Sequence, residues 1–162
     1  SMSMSSSASC LALERLQDPG NLGTALRTAS AAGVRQVVTS RGSARIWSTK
    51  TIRAGVGAHF RLSLTEDQNL EELARKHQGM RIATSPHAKL SIFDAEIEGP
   101  VFWMFGSEGE GLSRGLLNCA DLEVRVPMPG GMESLNVAST VAICLFEVVR
   151  RQQAEVGLQA SQ

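Results

Sequence analysis

Residues 126–137 read VPMPGGMESLNV and lead into a long apolar segment that we expect to be helical to about Gln153. The first turn of a helix carries unpaired backbone N–H groups and a partial positive charge. The Pro/Gly-rich loop before it exposes further backbone, and Ser134 and Asn136 add polar side chains at the junction. The stretch therefore predicts a binding place for a small polar ligand. Because Ser is also a favoured N-cap residue, a simple helix cap is the alternative.

Strand and helix patterns alternate along the chain that precedes this stretch. Short apolar runs predict strands at 11–16, 36–40, 60–64, 81–84, 101–105 and 122–126. Helical patterns fall between them, at 22–32, 48–54, 70–77 and 113–118, and the first of these helices should stop at Gly33. This alternation predicts an α/β fold with an open parallel sheet and helices on both faces. Ligands of such sheets bind at the carboxyl ends of the strands.

Length and composition indicate one domain, which we place at residues 10–162. Residues 1–9, SMSMSSSAS, lack the basic start and apolar core of a signal peptide and resemble an expression tag, so we expect a disordered leader. The apolar runs are too short to cross a bilayer, and we expect no membrane association. The three cysteines form no CxxC pair, which argues against a disulfide framework or a metal site and favours a cytoplasmic location.

The charges are unevenly distributed, although the net charge is zero. Between Asp18 and Glu66 the sequence has no acidic residue and seven basic ones: Arg27, Arg35, Arg41, Arg45, Lys50, Arg53 and Arg61. A long stretch with only positive charges predicts a surface that binds a polyanion. The alternative is a solvated face whose charges are balanced in three dimensions by acids from other segments.

Residues 17–23, QDPGNLG, follow the first predicted strand and lead to Arg27. Asn21 is placed to cap the helix. Arg27 follows Gly23 by four residues, so the two share a helix face and nothing bulky screens the guanidinium. A permanently charged planar group beside a helix start suits a phosphate. A capped helix with a surface arginine is the alternative.

Residues 105–113, FGSEGEGLS, follow the most apolar strand. Their glycines permit a sharp turn or a close approach of backbone to a ligand. The spacing is not the dinucleotide fingerprint, which should open the first βαβ unit and be followed by an acid on the next strand. The two glutamates would also repel a pyrophosphate, so a neutral or cationic ligand fits better. An ordinary glycine-rich turn is the alternative.

Together and in this order, these segments resemble the SpoU-type (TrmH-like) branch of the SPOUT RNA methyltransferases. Asn21, Gly23 and Arg27 match the family's N-x-x-G-x-x-x-R element, with the glycine one position early. Residues 106–112 resemble its G-N-E-x-x-G-[LI] loop, with Ser107 where Asn is usual. Residues 127–137 resemble its P-x6-S-L-N-V element, and residues 50–60 its K-x-x-R-x-x-x-G-A-x-F segment. The resemblance covers about residues 11–153.

The resemblance implies a fold, a cofactor and an assembly. The C-terminal part of the sheet would be threaded into a trefoil knot, S-adenosylmethionine would bind in the knot, and the protein would be a homodimer. No metal is implied. The implied cofactor-binding residues are Gly106, Ser107, Gly109, Val126, Met128, Ser134, Leu135 and Val137.

The implied reaction is methyl transfer to a ribose 2′-hydroxyl of RNA, which releases S-adenosylhomocysteine. The residues that match catalytic positions are Arg27, Asn21, Glu108, Ser134 and Asn136. We expect Arg27 to hold an RNA phosphate first and to accept a proton only second, because arginine keeps its proton. The residues expected to contact RNA are Arg27, Arg41, Arg45, Lys50 and Arg53. Trp47 lies in this basic block and is a candidate for stacking on a base, with a core or dimer contact as the alternative.

The resemblance favours large-subunit (23S-type) ribosomal RNA as the substrate, because residues 50–60 resemble that subgroup more than the transfer RNA subgroup. We accordingly expect a methyltransferase catalytic domain without the N-terminal recognition domain of many ribosomal RNA enzymes. Two alternatives stay open: a tRNA 2′-O-methyltransferase, and a non-catalytic RNA-binding module that keeps the knot.

Overall fold

The computed structural model describes residues 4–162, and within them seven strands form one parallel sheet. The strand order is β3-β2-β1-β6-β4-β7-β5. The strands are β1 (Cys10–Glu14), β2 (Gln36–Ser40), β3 (Ser63–Gln68), β4 (Met80–Thr84), β5 (Leu90–Ser91), β6 (Val101–Gly106) and β7 (Leu122–Arg125). The helices are α1 (Pro19–Ala32), α2 (Thr49–Gly55), α3 (Leu70–Lys76), α4 (Arg114–Cys119) and α5 (Val137–Ala160), with a 3₁₀ turn at Ala58–Phe60. The predicted α/β class with an open parallel sheet is confirmed.

The central strands β1 and β6 are buried on both faces, as expected for a parallel sheet covered by helices. In β6, Trp103 and Phe105 point into the apolar core beneath α1 and α5. Phe102 and Met104 point into the opposite core, beneath α3 and α4. Both layers of helices are thus fixed to the same pair of strands, and the loops that follow these strands share one rigid base.

Helix α1 begins one turn earlier than the sequence predicted. The N-cap is Asp18, whose side chain accepts from the Asn21 backbone N–H at 3.1 Å, and Pro19 occupies the first turn. The expectation that Asn21 caps this helix is therefore wrong, and its side chain is available for other contacts. The helix ends as predicted at Gly33, which adopts the left-handed conformation with φ 82°.

Two further differences concern strands. The strand predicted at residues 60–64 is wrong in its first half, because Phe60 belongs to the 3₁₀ turn and is 88% exposed. Strand β3 begins only at Ser63, where it pairs with Gln36. Strand β5 was not predicted, since two residues are too few to show a period.

Residues 1–3 of the expected leader lie outside the described residues. Residues 4–9 lie against the sheet: the Ser6 carbonyl accepts from the Gln78 N–H at 2.8 Å, and Ser9 Oγ accepts from the Val101 N–H at 3.0 Å. The domain bounds stay a prediction. Among the described helices, none combines the length and hydropathy that a membrane span requires.

Candidate functional site

The candidate site lies at the carboxyl ends of β1 and β6, the neighbouring strands at the centre of the sheet. On its other side β1 pairs with β2, and on its other side β6 pairs with β4. The strand order therefore runs in opposite directions from this central pair. Such a reversal of strand order opens a crevice between the loops that follow the two strands. Two cavities occupy this region.

The larger cavity has a volume of about 790 Å³ and lies between the loops after β4, β6 and β7 and the start of α5. This volume falls within the range of about 300–1,000 Å³ that is usual for cofactor and small-molecule sites. All the residues expected to bind the cofactor line it: Gly106, Ser107, Gly109, Val126, Met128, Ser134, Leu135 and Val137.

Part of the wall of this cavity was not predicted from the sequence. Thr84 lines it from the end of β4, Ser85, Pro86 and His87 line it from the loop that follows, and Cys144 lines it from α5. The loop after β4 could have been found, because it follows the carboxyl end of a predicted strand, where ligands of parallel sheets bind. Cys144 could not, since only packing turns this helix face towards the cavity. Burial raises the pKa of the Cys144 thiol to about 12, so the thiol is protonated at neutral pH.

The glycines of the loop after β6 have different roles. A Cβ atom on Gly106 would lie 2.2 Å from the Gly111 carbonyl carbon, because the loop folds back and pairs Ser107 with Gly111. Gly111 itself has φ 68°. Gly109 has no atom within 4 Å of an added Cβ. Gly106 and Gly111 thus shape the loop, and Gly109 leaves open space.

The smaller cavity, of about 370 Å³, lies between the loop after β1 and the loop after β6. Arg15, Leu16, Gln17, Asp18 and Asn21 line one side of it. Residues 107–110 line the other side and also line the larger cavity. One loop therefore forms a wall of both cavities.

A hydrogen-bond network joins the three segments that the sequence analysis singled out. Asn21 Nδ2 donates to Glu108 Oε1 at 3.2 Å. Asn136 Nδ2 donates to Asn21 Oδ1 at 2.9 Å and to Glu108 Oε1 at 3.3 Å. The Val137 backbone N–H, at the start of α5, also donates to Glu108 Oε1 at 3.2 Å. A single carboxylate oxygen thus ties the loop after β6 to both α1 and α5.

Asn136 also caps α5, since its Oδ1 accepts from the Ser139 N–H at 3.2 Å. The simple-cap alternative therefore holds for Asn136 and fails for Ser134. Ser134 is exposed and lines the larger cavity instead. The same asparagine ends the loop, caps the helix and bonds to Asn21. The two roles use different atoms of one side chain, since Oδ1 caps the helix and Nδ2 joins the network.

Two polar contacts brace the loop after β6 from the end of β1. Glu14 accepts from the Ser113 N–H at 2.7 Å and from Ser113 Oγ at 2.9 Å. Arg15 pairs with Glu110 at 2.7 Å. Neither residue was predicted, because the sequence does not show which strand lies beside β6.

Arg27 is exposed on α1 and lines neither cavity. Gly23, one turn before it, is buried against α2: an added Cβ would lie 2.5 Å from both the Thr51 carbonyl oxygen and the Ala54 Cβ. Gly23 was expected to leave the guanidinium of Arg27 unscreened, and this explanation of the glycine is wrong. The glycine allows the close packing of α1 on α2, and Arg27 lies one turn along the same face.

The basic block is partly neutralised. Arg45 forms ion pairs with Glu66 and with Asp67, the latter at 3.1 Å. Within residues 4–162, Arg27, Arg41, Lys50 and Arg53 have no carboxylate within ion-pair distance and are exposed. In the same part of the chain, no cluster of three or more His, Cys, Asp or Glu side chains has the arrangement of a metal site.

The model of the SpoU rRNA Methylase family matches residues 8–146. An uncharacterized tRNA/rRNA methyltransferase of Synechocystis is 41% identical over 147 residues, which is 89% of this chain and 54% of that protein. A 23S rRNA (guanosine-2′-O-)-methyltransferase of Haemophilus ducreyi is 34% identical over 146 residues, with coverage of 88% and 59%. The chain thus spans little more than half the length of these curated relatives.

Solved structures of RNA methyltransferases also superpose on this chain. An RNA 2′-O ribose methyltransferase superposes with a TM-score of 0.84 at 34% identity, covering 94% of this chain and 60% of that one. An AdoMet-bound rRNA methyltransferase from Sinorhizobium meliloti superposes with a TM-score of 0.82 at 31% identity, covering 89% and 56%.

Proposed function

Because this chain belongs to the SpoU rRNA methylase family, we propose that it transfers a methyl group from S-adenosylmethionine to a ribose 2′-hydroxyl of RNA. The observation that carries this proposal is the pair of cavities with one common wall, joined by the network of Asn21, Glu108 and Asn136. Two reactants held on either side of one loop are positioned for a direct transfer, and such positioning supplies much of the rate enhancement.

The larger cavity fits the cofactor in size and in chemistry. Val126, Leu135 and Val137 give it an apolar surface suited to an adenine ring, beside exposed backbone of the loop after β7. Glu108, Glu110 and Glu133 line it as well, and carboxylates favour a cationic ligand. When bound, S-adenosylmethionine supplies an electrophilic methyl group on a positively charged sulfur.

The smaller cavity is the place for the acceptor ribose. Asn21 lines it, and its side chain is fixed by Glu108 and Asn136. Its amide is therefore oriented before substrate arrives. Arg27, on the same helix, would hold the neighbouring RNA phosphate as a permanent cation. Ser134 would contribute its hydroxyl from the cofactor side.

For the RNA, we favour large-subunit ribosomal RNA, because several relatives are named as 23S rRNA methyltransferases. One observation favours tRNA as a second candidate. A solved structure that concerns the 2-OH methylation of C/U34 on tRNA superposes on this chain with a TM-score of 0.80 at 25% identity. The match covers 93% of this chain and 99% of that one.

The trefoil knot, the homodimer and the cytoplasmic location belong to the same proposal. The knot is supported by the resemblance of residues 106–112 and 127–137 to the family's motifs. Exposed apolar residues of α5 support a dimer, since Phe146 is 43% exposed, Val156 59% and Leu158 68%.

The test is incubation of the protein with methyl-labelled S-adenosylmethionine and either bulk ribosomal RNA or bulk tRNA. The RNA is then digested to nucleosides, which are separated. We expect label in a 2′-O-methyl nucleoside and in only one of the two RNA pools. Label confined to a base would contradict ribose methylation. Absence of label, with RNA binding retained, would establish the non-catalytic alternative.

A further inference from the structure

Four large apolar side chains are exposed within a short stretch on and beside α2. Trp47 is 57% exposed, Ile52 42%, Val56 65% and Phe60 88%. Ile52 lies on α2, and Val56 is the C-cap residue that follows the helix. We call this surface, residues 47–61, the α2 strip. An aromatic ring as exposed as that of Phe60 loses the free energy of burial, which indicates a surface that something else covers.

Trp47 is held in place although half of it faces solvent. Its ring lies against the ring of His59, with the centroids 5.0 Å apart and the planes tilted by 56°. His59 is buried, and its Nε2 lies 2.7 Å from the Ile46 carbonyl oxygen. The indole is thus supported from within, and part of its surface is available to a flat partner. Such an arrangement suits stacking, because little side-chain entropy remains to be lost.

The α2 strip carries positive charge and no negative charge. Lys50, Arg53 and Arg61 are exposed among its apolar residues. Within the described chain, none of the three has a carboxylate within ion-pair distance, whereas Arg45 before the strip is paired with Glu66 and Asp67. The charge that remains on this surface is therefore uncompensated.

The α2 strip is also adjacent to the proposed site. Helix α1 packs closely on α2 through Gly23, whose backbone approaches Thr51 and Ala54. Arg27 lies one turn further along that face of α1. A strand of RNA whose phosphate reaches Arg27 would thus have the strip directly beside it.

We propose that the α2 strip binds a single-stranded segment of RNA next to the methyl-acceptor nucleotide. Bases stack on Trp47 and Phe60, and phosphates pair with Lys50, Arg53 and Arg61. This inference rests on the proposed function in that RNA is the substrate. Unstacked bases and a phosphate backbone are the partner that matches alternating aromatic and cationic side chains. A duplex fits poorly, because its bases are already stacked on one another.

A second copy of the chain is a weaker match for the same surface. A twofold interface pairs a patch with itself. The cations of one strip would then face those of the other, and neither carries an acid to compensate them. Charge complementarity therefore favours a polyanion over self-association at this face.

The experiment measures binding of the full chain to a fluorescently labelled single-stranded RNA of about 12 nucleotides and to the matching duplex. Trp47→Leu and Phe60→Leu remove an aromatic ring each and keep apolar character. Phe93→Leu is the matched control, since Phe93 is 51% exposed and lies outside the strip. Because Phe60 is almost fully exposed, its substitution leaves folding intact. Tryptophan emission gives a second readout: Trp103 is 2% exposed, so quenching by RNA reports on Trp47.

We expect each strip variant to bind single-stranded RNA about tenfold more weakly, which is the usual scale for loss of one stacked base. Duplex binding and the Phe93→Leu variant should be unchanged, and RNA should quench the emission of the unsubstituted chain. Unchanged affinity of both strip variants would overturn the proposal. A change in sedimentation of the strip variants without a change in RNA affinity would assign the strip to a second copy.

The failure of this inference can be distinguished from the failure of the proposed function. If the unsubstituted protein methylates RNA while the strip variants bind RNA normally, only this inference fails. If RNA binding depends on the strip but no methyl group is transferred, the proposed function is overturned instead.

Discussion

Asn136 donates from Nδ2 to Oδ1 of Asn21 at 2.9 Å, although 115 residues separate the two in sequence. The same nitrogen donates to Glu108 at 3.3 Å, and Asn136 Oδ1 accepts from the Ser139 N–H. An amide nitrogen has two hydrogens and both are engaged, so the side chain has a defined orientation. This contact brings together the segments that were proposed to hold substrate and cofactor.

The first prediction replaces Asn136 by Asp. Aspartate is an equally good N-cap, so α5 should keep its start. The variant loses both Nδ2 donors and places a second carboxylate beside Glu108. We expect at least a tenfold lower rate of methyl transfer and a loss of stability of about 1 kcal/mol. Rates are measured with labelled cofactor, and stability by urea denaturation.

Asn69→Asp is the matched control for this change. Asn69 caps α3 by accepting from the Glu72 N–H at 3.2 Å and takes no part in the network. It should therefore retain the full rate of methyl transfer. Equal rates for the Asn136 and Asn69 variants would show that the network does not position the reactants.

The second prediction concerns Arg27. In the described chain its side chain makes no hydrogen bond or ion pair, it is exposed, and it lines neither cavity. Arg27→Ala should therefore leave stability and cofactor affinity unchanged and abolish methyl transfer. The control is Arg35→Ala, another exposed arginine, just beyond the end of α1. Calorimetry gives the affinity for the cofactor, and a fully active Arg27 variant would contradict the phosphate-holding role.

The sequence predicted well what depends on local pattern. Continuous apolar runs identified β1 and β6 because a strand buried on both faces has no polar side. The residues expected at the cofactor from the strand-end rule and the resemblance all line one cavity, and their binding of the cofactor stays a prediction.

The sequence failed where a residue's role depends on a distant partner. Gly23 could not be understood without the backbone of α2 against it, and Arg45 could not be separated from the other cations without Glu66 and Asp67. The bracing of Ser113 by Glu14 depends on strand order, which periodicity does not encode.

The third prediction compares two glycines of the loop after β6. Gly106→Ala should weaken cofactor binding, because its Cβ would lie 2.2 Å from Gly111 and the loop must move. Such overpacking also costs about 1–3 kcal/mol of stability. Gly109→Ala adds a methyl group to open space at the cavity wall, so it should leave stability unchanged and weaken cofactor binding less than Gly106→Ala does. Calorimetric titration with S-adenosylmethionine measures the difference, and equal affinities of the two variants would show that the shape of this loop does not matter to the larger cavity.

The fourth prediction is a pH dependence of stability that originates at Glu147. This residue is 7% exposed and accepts hydrogen bonds from Arg150 at 2.7 Å and Arg151 at 3.1 Å. Hydrogen bonding to Arg150, and then to Arg151, holds the pKa of Glu147 below its ordinary value, against the opposing effect of burial. Arg151 also donates to the Ala95 carbonyl at 2.6 Å, so the pair ties α5 to the segment after β5.

A carboxyl whose pKa is lower in the folded state binds fewer protons there than in the unfolded chain. Its stabilising contribution is therefore complete above the unfolded pKa of about 4.3 and is lost as the pH falls through the folded pKa. Glu147→Gln should be less stable than the unsubstituted chain at neutral pH, and the gap should narrow below about pH 4. Glu155→Gln, on an exposed turn of the same helix, should show no such gap. Urea denaturation across this pH range measures both, and a gap that stays constant down to the lowest pH would mean that the ionised carboxylate of Glu147 contributes nothing to the fold.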